Sequence, residues 1–455
     1  MQMNATCRFV LAVALLILAD GRVDAAVTAE EASALGKDLT PLGAEKAGSK
    51  DGVIPAWDGG QTGAAPGYVP GGPRLDPFAG ERPLFSITSK NIDDHAARLT
   101  DGAKALLRKY PDSFRIDVYP TRRTAAAPQA VYDASRRNAV AARLVDGATG
   151  PVPEGAYGGI PFPLPKSGAE AIWNYLLHWR GESIQNHFMN YMGTGDGSRV
   201  LVDGGTFDTQ IPYYFADGTA ERLNGEYTMV RIDSEAPPLR KGTLFVGRSH
   251  FNADRDDAWV YLPGQRRVRK LPNGCCDLPL PSAAGVISSD EPGVFDGRID
   301  RFEWTLVGKA EKYIPYNDNE SLQVSVDELL KPHHLNPDHV RWELHRVWIV
   351  EAKLTPGQRH AMTHSRYYLD EDTWIAVLGD RWDASGVLAR TLWSLPLVLP
   401  DIPAVAVATA GGHDLVKGTW IALGVLNGKP APYKLVPRFP DAHFTADALA
   451  GEGVR

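Results

Sequence analysis

Cysteine is scarce, with three in 455 residues: Cys7, Cys275 and Cys276. They offer neither a C-x-x-C redox pair nor the paired spacing of a zinc site. Adjacent cysteines are strained as a mutual disulfide. Cys275 and Cys276 therefore read as loop thiols, with a vicinal disulfide or a link to another chain as the alternatives in an oxidising compartment. The motifs G-x-S-x-G, H-E-x-x-H, G-x-x-x-x-G-K-[ST] and G-x-G-x-x-G are missing. Gly193-Thr194-Gly195-Asp196-Gly197 precedes a strand pattern and reads as a loop. These absences remove enzyme classes recognisable by motif, though catalytic sets need not be close in sequence.

Long apolar runs are also lacking, apart from Phe9 to Ala19. That run is short of the roughly 20 residues a spanning helix needs. It follows Arg8 and precedes Val23-Asp24-Ala25, the pattern of a secretory leader cleaved before Ala26. Residues 1–25 are thus expected to be a signal peptide, and the mature chain a soluble periplasmic protein. Cys7 lies ahead of the run, where a lipoprotein's acylated cysteine would follow it. Export and a net charge of −7 argue against a nucleic-acid partner.

From residue 26 to about 90 the chain is dense in Gly and Pro, as in Asp58-Gly59-Gly60 and Pro70-Gly71-Gly72-Pro73. Ile54, Trp57, Tyr68, Phe78 and Phe85 are too apolar for free disorder, so this segment is expected to wrap across the body. Residues 91–196 read as a helical or lid region. One helix is expected over 91–110 and a clearer one behind Ser167-Gly168-Ala169-Glu170, a capping box. There Ile172, Tyr175, Leu176 and Trp179 share a face that should pack on a sheet.

After residue 197 the period changes from 3.6 to 2, and a dozen candidate strands follow. Pro263-Gly264, Asp370-Glu371-Asp372 and Asp383-Ala384-Ser385-Gly386 read as short turns, which can join only antiparallel neighbours. The strand from Trp342 to Leu354 is the most informative. Trp342, Leu344, Trp348, Val350, Ala352 and Leu354 share one face, broken only by Arg346. Its length, more than double that of a typical strand, suits a large, strongly curved sheet with helices against it. Residues 197–455 are expected to form this β body, and 26–455 one domain.

Arg266, Arg267, Arg269 and Lys270 crowd one short strand, with Arg267 and Arg269 on one face. Such a strand is either a solvated edge that resists aggregation or a contact for an anionic headgroup or carboxylate. His333, His334, His339, His345, His360 and His364 form the densest histidine region but lack a fixed ligand spacing, so no metal and no cofactor are expected. Trp259, Tyr261, Trp304, Trp342, Trp348 and Trp374 read first as core.

Several stretches are similar to one family of bacterial envelope proteins of unknown function, related to the outer-membrane lipoprotein-sorting (LolA/LolB-like) fold. They are LTPLGAEKAGSKDGVIPAWDGG (39–60), DPFAGERPLFSIT (76–88), YPTRRTAAAP (119–128), GGIPFPLPKSGAEAIWNYLLHWRG (158–181), AWVYLPGQRRVRKLP (258–272) and RWELHRVWIVEA (341–352). The resemblance implies a mainly β, α+β fold, a half-open antiparallel β-barrel with packed helices around a cavity for an apolar molecule. It also implies resistance-nodulation-type exporters or outer-membrane proteins as partners, with association to the outer membrane. The expected function is a non-catalytic carrier of a lipid, an acylated protein or a hydrophobic compound. The alternative is a hydrolase using carboxylates at the barrel mouth. Trp342, Leu344, Trp348 and Val350, with Trp259 and Tyr261, are the expected wall of the cavity, and Arg267 or Arg269 is expected near its mouth.

Overall fold

The structure, a computed structural model, describes residues 27–453 except 65, 70, 272–275, 430 and 431. The leader read at residues 1–25 lies outside the described residues. So do Cys7 and Cys275, while Cys276 is disulfide-bonded rather than a free loop thiol. Among the described residues no helix is long and apolar enough to cross a membrane.

Sixteen strands form one sheet. From one edge the order runs Phe85–Ile87, Ile116–Val118, Trp342–Leu354, Met362–Asp370, Ala376–Asp383, Leu388–Leu399, Ala404–Asp414, Trp420–Val425, Ser183–Gly193, Arg199–Gln210, Glu226–Ala236, Leu244–His250, Asp257–Leu262 and Arg267–Lys270. Phe302–Pro315 pairs along the whole of Trp342–Leu354, and Lys434–Leu435 pairs with Ser183–Gly193. All pairings are antiparallel except a single parallel contact, Trp342 with Val118. The sheet is curved but does not close, so the expected architecture is present as an open sheet rather than a barrel. It also begins earlier than residue 197, because Ser183–Gly193 is a full member.

The long strand spans Trp342–Leu354, as its one-sided pattern predicts. The three expected turns each join antiparallel neighbours. Gly386 takes a φ of +77° in one of them, a conformation that suits glycine. Ser167 accepts from the Glu170 N–H at 3.2 Å, and the Glu170 carboxylate accepts from the Ser167 N–H, closing the capping box of the Gly168–Leu176 helix. A Cβ on Gly168 would lie 2.8 Å from the backbone of Thr305; lacking one, the helix sits directly on the Phe302–Pro315 strand.

Two hydrophobic layers sandwich the centre of the sheet. One joins Ile172, Trp173 and Tyr175 of that helix to Val350, Tyr367, Leu369 and Leu392. The other joins Leu107 of the Asp101–Lys109 helix to Val347, Tyr368, Leu378, Trp393 and Leu395. Cover on both faces explains why Leu388–Leu399 is buried along nearly its whole length. Its Pro396 sits at a register shift, where a missing N–H is tolerated.

Candidate functional site

The Asp101–Lys109 helix begins with Thr100, whose side chain accepts from the Ala103 N–H at 3.1 Å. Ala103 and Leu106 look across at Leu378, Trp393 and Leu395 on the sheet, and a narrow apolar cleft of about 40 Å³ lies between them. Phe114, Val340 and Trp342 extend its wall. That volume accommodates two or three waters and is well below the roughly 300–1,000 Å³ of ordinary ligand pockets.

No carboxylate lines the cleft among the described residues. Two of its polar side chains, His413 and Trp393, have no hydrogen-bond partner, whereas Thr391 and His334 are bonded. His413 is 4% exposed, and neither of its ring nitrogens has a hydrogen bond. Burial pushes its pKa down to about 3, with His334 and Lys109 acting in the same direction and the nearby His333 backbone only partly opposing them. The imidazole is therefore neutral and stacks on Trp420 at 5.8 Å. The Trp393 indole N–H, on a residue 7% exposed, is likewise unpartnered. At the rim, Arg115 is neutralised by Asp117 and Asp338.

A second concentration of chemistry lies at the Asp370-Glu371-Asp372 turn. Arg123 holds both oxygens of Asp372, at 2.8 and 2.6 Å, and donates to the Glu45 carbonyl at 2.7 Å. Arg341 pairs with Glu343 and Glu81. His345 places Nε2 3.1 Å from Glu343 Oε2 and Nδ1 3.6 Å from Asp370 Oδ1, beneath a Tyr316 ring 4.0 Å away. Burial opposes charge on His345, but Glu343 and Asp370 outweigh it and raise its pKa. Burial likewise raises Asp370, reinforced by Asp372 and opposed by His345. The two share a proton more readily than either would alone.

His345, Asp370 and Asp372 bring their donor atoms within 4.8 Å of one another, close enough to test against a metal ion. Both Asp372 oxygens are held by Arg123, and Glu343 holds the far nitrogen of His345. Asp370 Oδ1 accepts no hydrogen bond, and its contact within the trio is His345 Nδ1 at 3.6 Å. Arg122 also pairs with Glu81, so three arginines and one proton balance the four carboxylates Glu81, Glu343, Asp370 and Asp372, and the donor set fits an internal ion network better than a cation. The network clamps the lead segment: Glu371 accepts from the Glu45 N–H at 2.9 Å, and Trp374 Nε1 donates to the Leu42 carbonyl at 2.8 Å.

The residues singled out in the sequence are dispersed. Trp342 lines the cleft, and Leu344 belongs to the same hydrophobic layer. Trp348 and Val350 pack into the opposite layer, with Lys309 over the Trp348 ring at 4.6 Å. A long twisted strand gives its two ends to different layers. Trp259 and Tyr261 join a third cluster under Phe444 and Leu449. Arg267 and Arg269 are exposed on the far edge strand and do not line the cleft. The histidines separate too. His334 lines the cleft, His339 meets Glu320 and Glu328, His360 meets Asp290 at 2.9 Å, and His364 meets Glu351. Leu106, Leu378 and Trp393 fall in the expected helix and strands but are not expected from the sequence to line a cavity, and His413 is not singled out there, because docking of the helix is what brings the four together.

The protein is thus an open, helix-covered β-sheet with a small apolar cleft that presents no carboxylate among the described residues. The chain belongs to the DUF1329 family, described as protein of unknown function, whose model matches residues 86–450. The resemblance to a family of unknown function is thereby borne out. An uncharacterized protein of Pseudomonas aeruginosa, PA3922, is 39% identical, with 98% of each chain covered. Among solved structures, a DUF1329 family protein from Desulfovibrio piger is 15% identical with a TM-score of 0.40, covering 59% of this chain and 92% of that one. A putative outer membrane lipoprotein-sorting protein domain from Vibrio parahaemolyticus is 13% identical with a TM-score of 0.43, covering 62% and 98%.

Proposed function

We propose that the protein is a periplasmic, non-catalytic carrier of an apolar envelope molecule, which binds between the Asp101–Lys109 helix and the sheet. The observation that supports this most is the cleft itself, apolar in its lining and without a carboxylate. The leader pattern at Arg8 to Ala25 supports the compartment. An exporter or an outer-membrane protein is the proposed recipient or donor.

At about 40 Å³ the cleft is a closed state, so loading requires the helix or the 333–340 loop to move away from the sheet. The driving force is ample. Burying a 16-carbon chain is worth on the order of 12 kcal/mol gross, at roughly 0.8 kcal/mol per methylene. Much of that is offset by ordering and by reopening the cleft, which keeps release accessible. The hydrolase reading requires free carboxylates at the mouth; Asp117 and Asp338 at the rim are paired with Arg115, and the Asp370–Asp372 turn is committed to Arg123, His345 and Thr373.

The test is equilibrium binding of a fluorescent fatty acid to the chain from Ala26 onward. Leu106→Phe, whose ring takes up room in the cleft, should weaken binding while leaving the urea midpoint near that of the parent. Val387→Arg, at an exposed position outside the cleft lining, should change neither. Equal binding by the parent and Leu106→Phe sinks the assignment of the cleft.

A further inference from the structure

In consecutive antiparallel hairpins, alternate turns fall at the same end of the sheet. The turn 237–243, between Glu226–Ala236 and Leu244–His250, therefore lies beside the turn 263–266, between Asp257–Leu262 and Arg267–Lys270. Two strand spacings separate their centres by about 10 Å. Closer contact is direct, since a Cβ on Gly242 would lie 3.4 Å from Pro263 Cγ. The first turn is firmly built: the N–H groups of Arg240 and Lys241 both donate to the Pro237 carbonyl, at 2.8 and 3.1 Å, and Thr243 N–H donates to the Arg240 carbonyl at 2.9 Å.

This rigid tip holds Leu239 out in water. At 92% exposure it is the most exposed large hydrophobic side chain among the described residues. Around it, Lys241, Arg266 and Arg267 are exposed and have no ion-pair partner among the described residues, and Arg269 follows on the same strand. Arg240 is held by Asp203 at 2.9 Å. Counted to the depth of Arg269, the carboxylates at this end are Asp203, Asp233 and Glu235, against the five cations Arg240, Lys241, Arg266, Arg267 and Arg269. The local excess is positive on a chain whose net charge is −7.

We propose that this hairpin end docks the protein on an anionic phospholipid surface, with Leu239 entering the interfacial layer and Lys241, Arg266 and Arg267 meeting lipid phosphates. A lone exposed leucine ringed by unpaired cations matches a bilayer interface in both respects: it offers apolar surface to acyl chains and positive charge to headgroups. The arginine forks suit phosphate oxygens. The C-terminal residues Phe444 and Leu449 cover the opposite face of the Arg267–Lys270 hairpin, so the tip is backed by core. This proposal does not rest on the cleft, because docking needs no ligand.

The experiment is co-sedimentation of the chain from Ala26 onward, which contains every described strand and helix, with vesicles of phosphatidylglycerol and phosphatidylethanolamine. Vesicles of phosphatidylcholine serve as the neutral comparison. Binding should be confined to the anionic vesicles and fall steeply with added salt. The double variant Arg266→Glu, Arg267→Glu should lower it by at least about tenfold. Leu239→Asp should lower it severalfold, with thermal midpoints preserved because all three side chains are exposed. Leu239→Trp should bind and shift its emission to the blue on contact with vesicles. Failure to bind anionic vesicles, or unchanged binding by both the charge-reversal variant and Leu239→Asp, overturns the proposal. Capture of an acidic protein by the tip in the absence of vesicle binding would also overturn it.

Discussion

The backbone N–H of Gly102 donates to Asp380 Oδ1 at 3.1 Å, so the first turn of the Asp101–Lys109 helix rests on a buried carboxylate. Asp380 also accepts from Thr391 Oγ1 at 3.0 Å and from the Tyr368 hydroxyl at 3.3 Å. A negative group beneath a helix N-terminus is favourably placed. This contact ties one wall of the cleft, the helix, to the other, the sheet.

Substitution of Gly102 should break that tie. A Cβ at this position would collide with Thr391 Oγ1 and Asp380 Oδ1. Gly102→Ala should therefore cost about 1–3 kcal/mol in urea unfolding, the range for overpacking a tight contact. Fluorescent fatty-acid association should also become faster, because the helix is already displaced.

The same carboxylate sets a pH dependence. Burial pushes Asp380 up to about 6, although the Gly102 N–H and Thr391 act to lower it. Its folded pKa exceeds the ordinary value near 4, so the native protein takes up more protons between the two. Its contribution to stability is full below about pH 4 and is lost as pH rises through 6. Asp380→Asn lacks this term. The stability of the parent relative to that variant should fall by as much as about 3 kcal/mol between pH 4 and 7, read from urea midpoints. His413 acts oppositely. Held neutral with a pKa pushed down to about 3, it loses its contribution as pH falls below the ordinary histidine value.

Much of the fold was legible because it is written locally. The strand Trp342–Leu354 shows one-sided alternation, and Ser167 and Glu170 stand at the spacing of a capping box. The strand Ala404–Asp414 was not legible, because Ala and Gly replace the large residues that signal alternation. Gly411 needs to be small, since a Cβ there would run into the Ile421 carbonyl and the Trp393 ring. The Gln129–Ala141 helix hid behind Pro128 as its first flanking residue, which gives no side-chain cap. The cleft and the ion network are long-range constructions: Arg123 and Asp372 are 249 positions apart in sequence, and no local pattern announces their meeting.

That pair carries its own prediction. Arg123 and Asp372 are almost fully buried, so Arg123→Ala should cost about 3–5 kcal/mol by leaving a carboxylate unpaired. Limited proteolysis should then cut within 45–57, where Arg123 holds the carbonyls of Glu45, Lys46 and Pro55. Arg123→Lys should recover only part of the loss, because an ammonium cannot bridge both oxygens.

Zinc or a chelator should leave the thermal midpoint unchanged. Arg123 already neutralises Asp372, and Glu343 holds His345. A midpoint that rises with zinc concentration would signal tight binding to the native state and would recast the Asp370–Asp372 turn as a metal centre.

The carrier account is tested most directly by a crystal structure of the protein soaked with a fatty acid brominated near its methyl end, with bromine located by anomalous scattering. The account predicts bromine between Leu106 and Trp393, in a cleft enlarged by movement of the Asp101–Lys109 helix or the 333–340 loop. Bromine bound elsewhere, or an unoccupied and unchanged cleft in a protein that binds the fatty acid in solution, would contradict it.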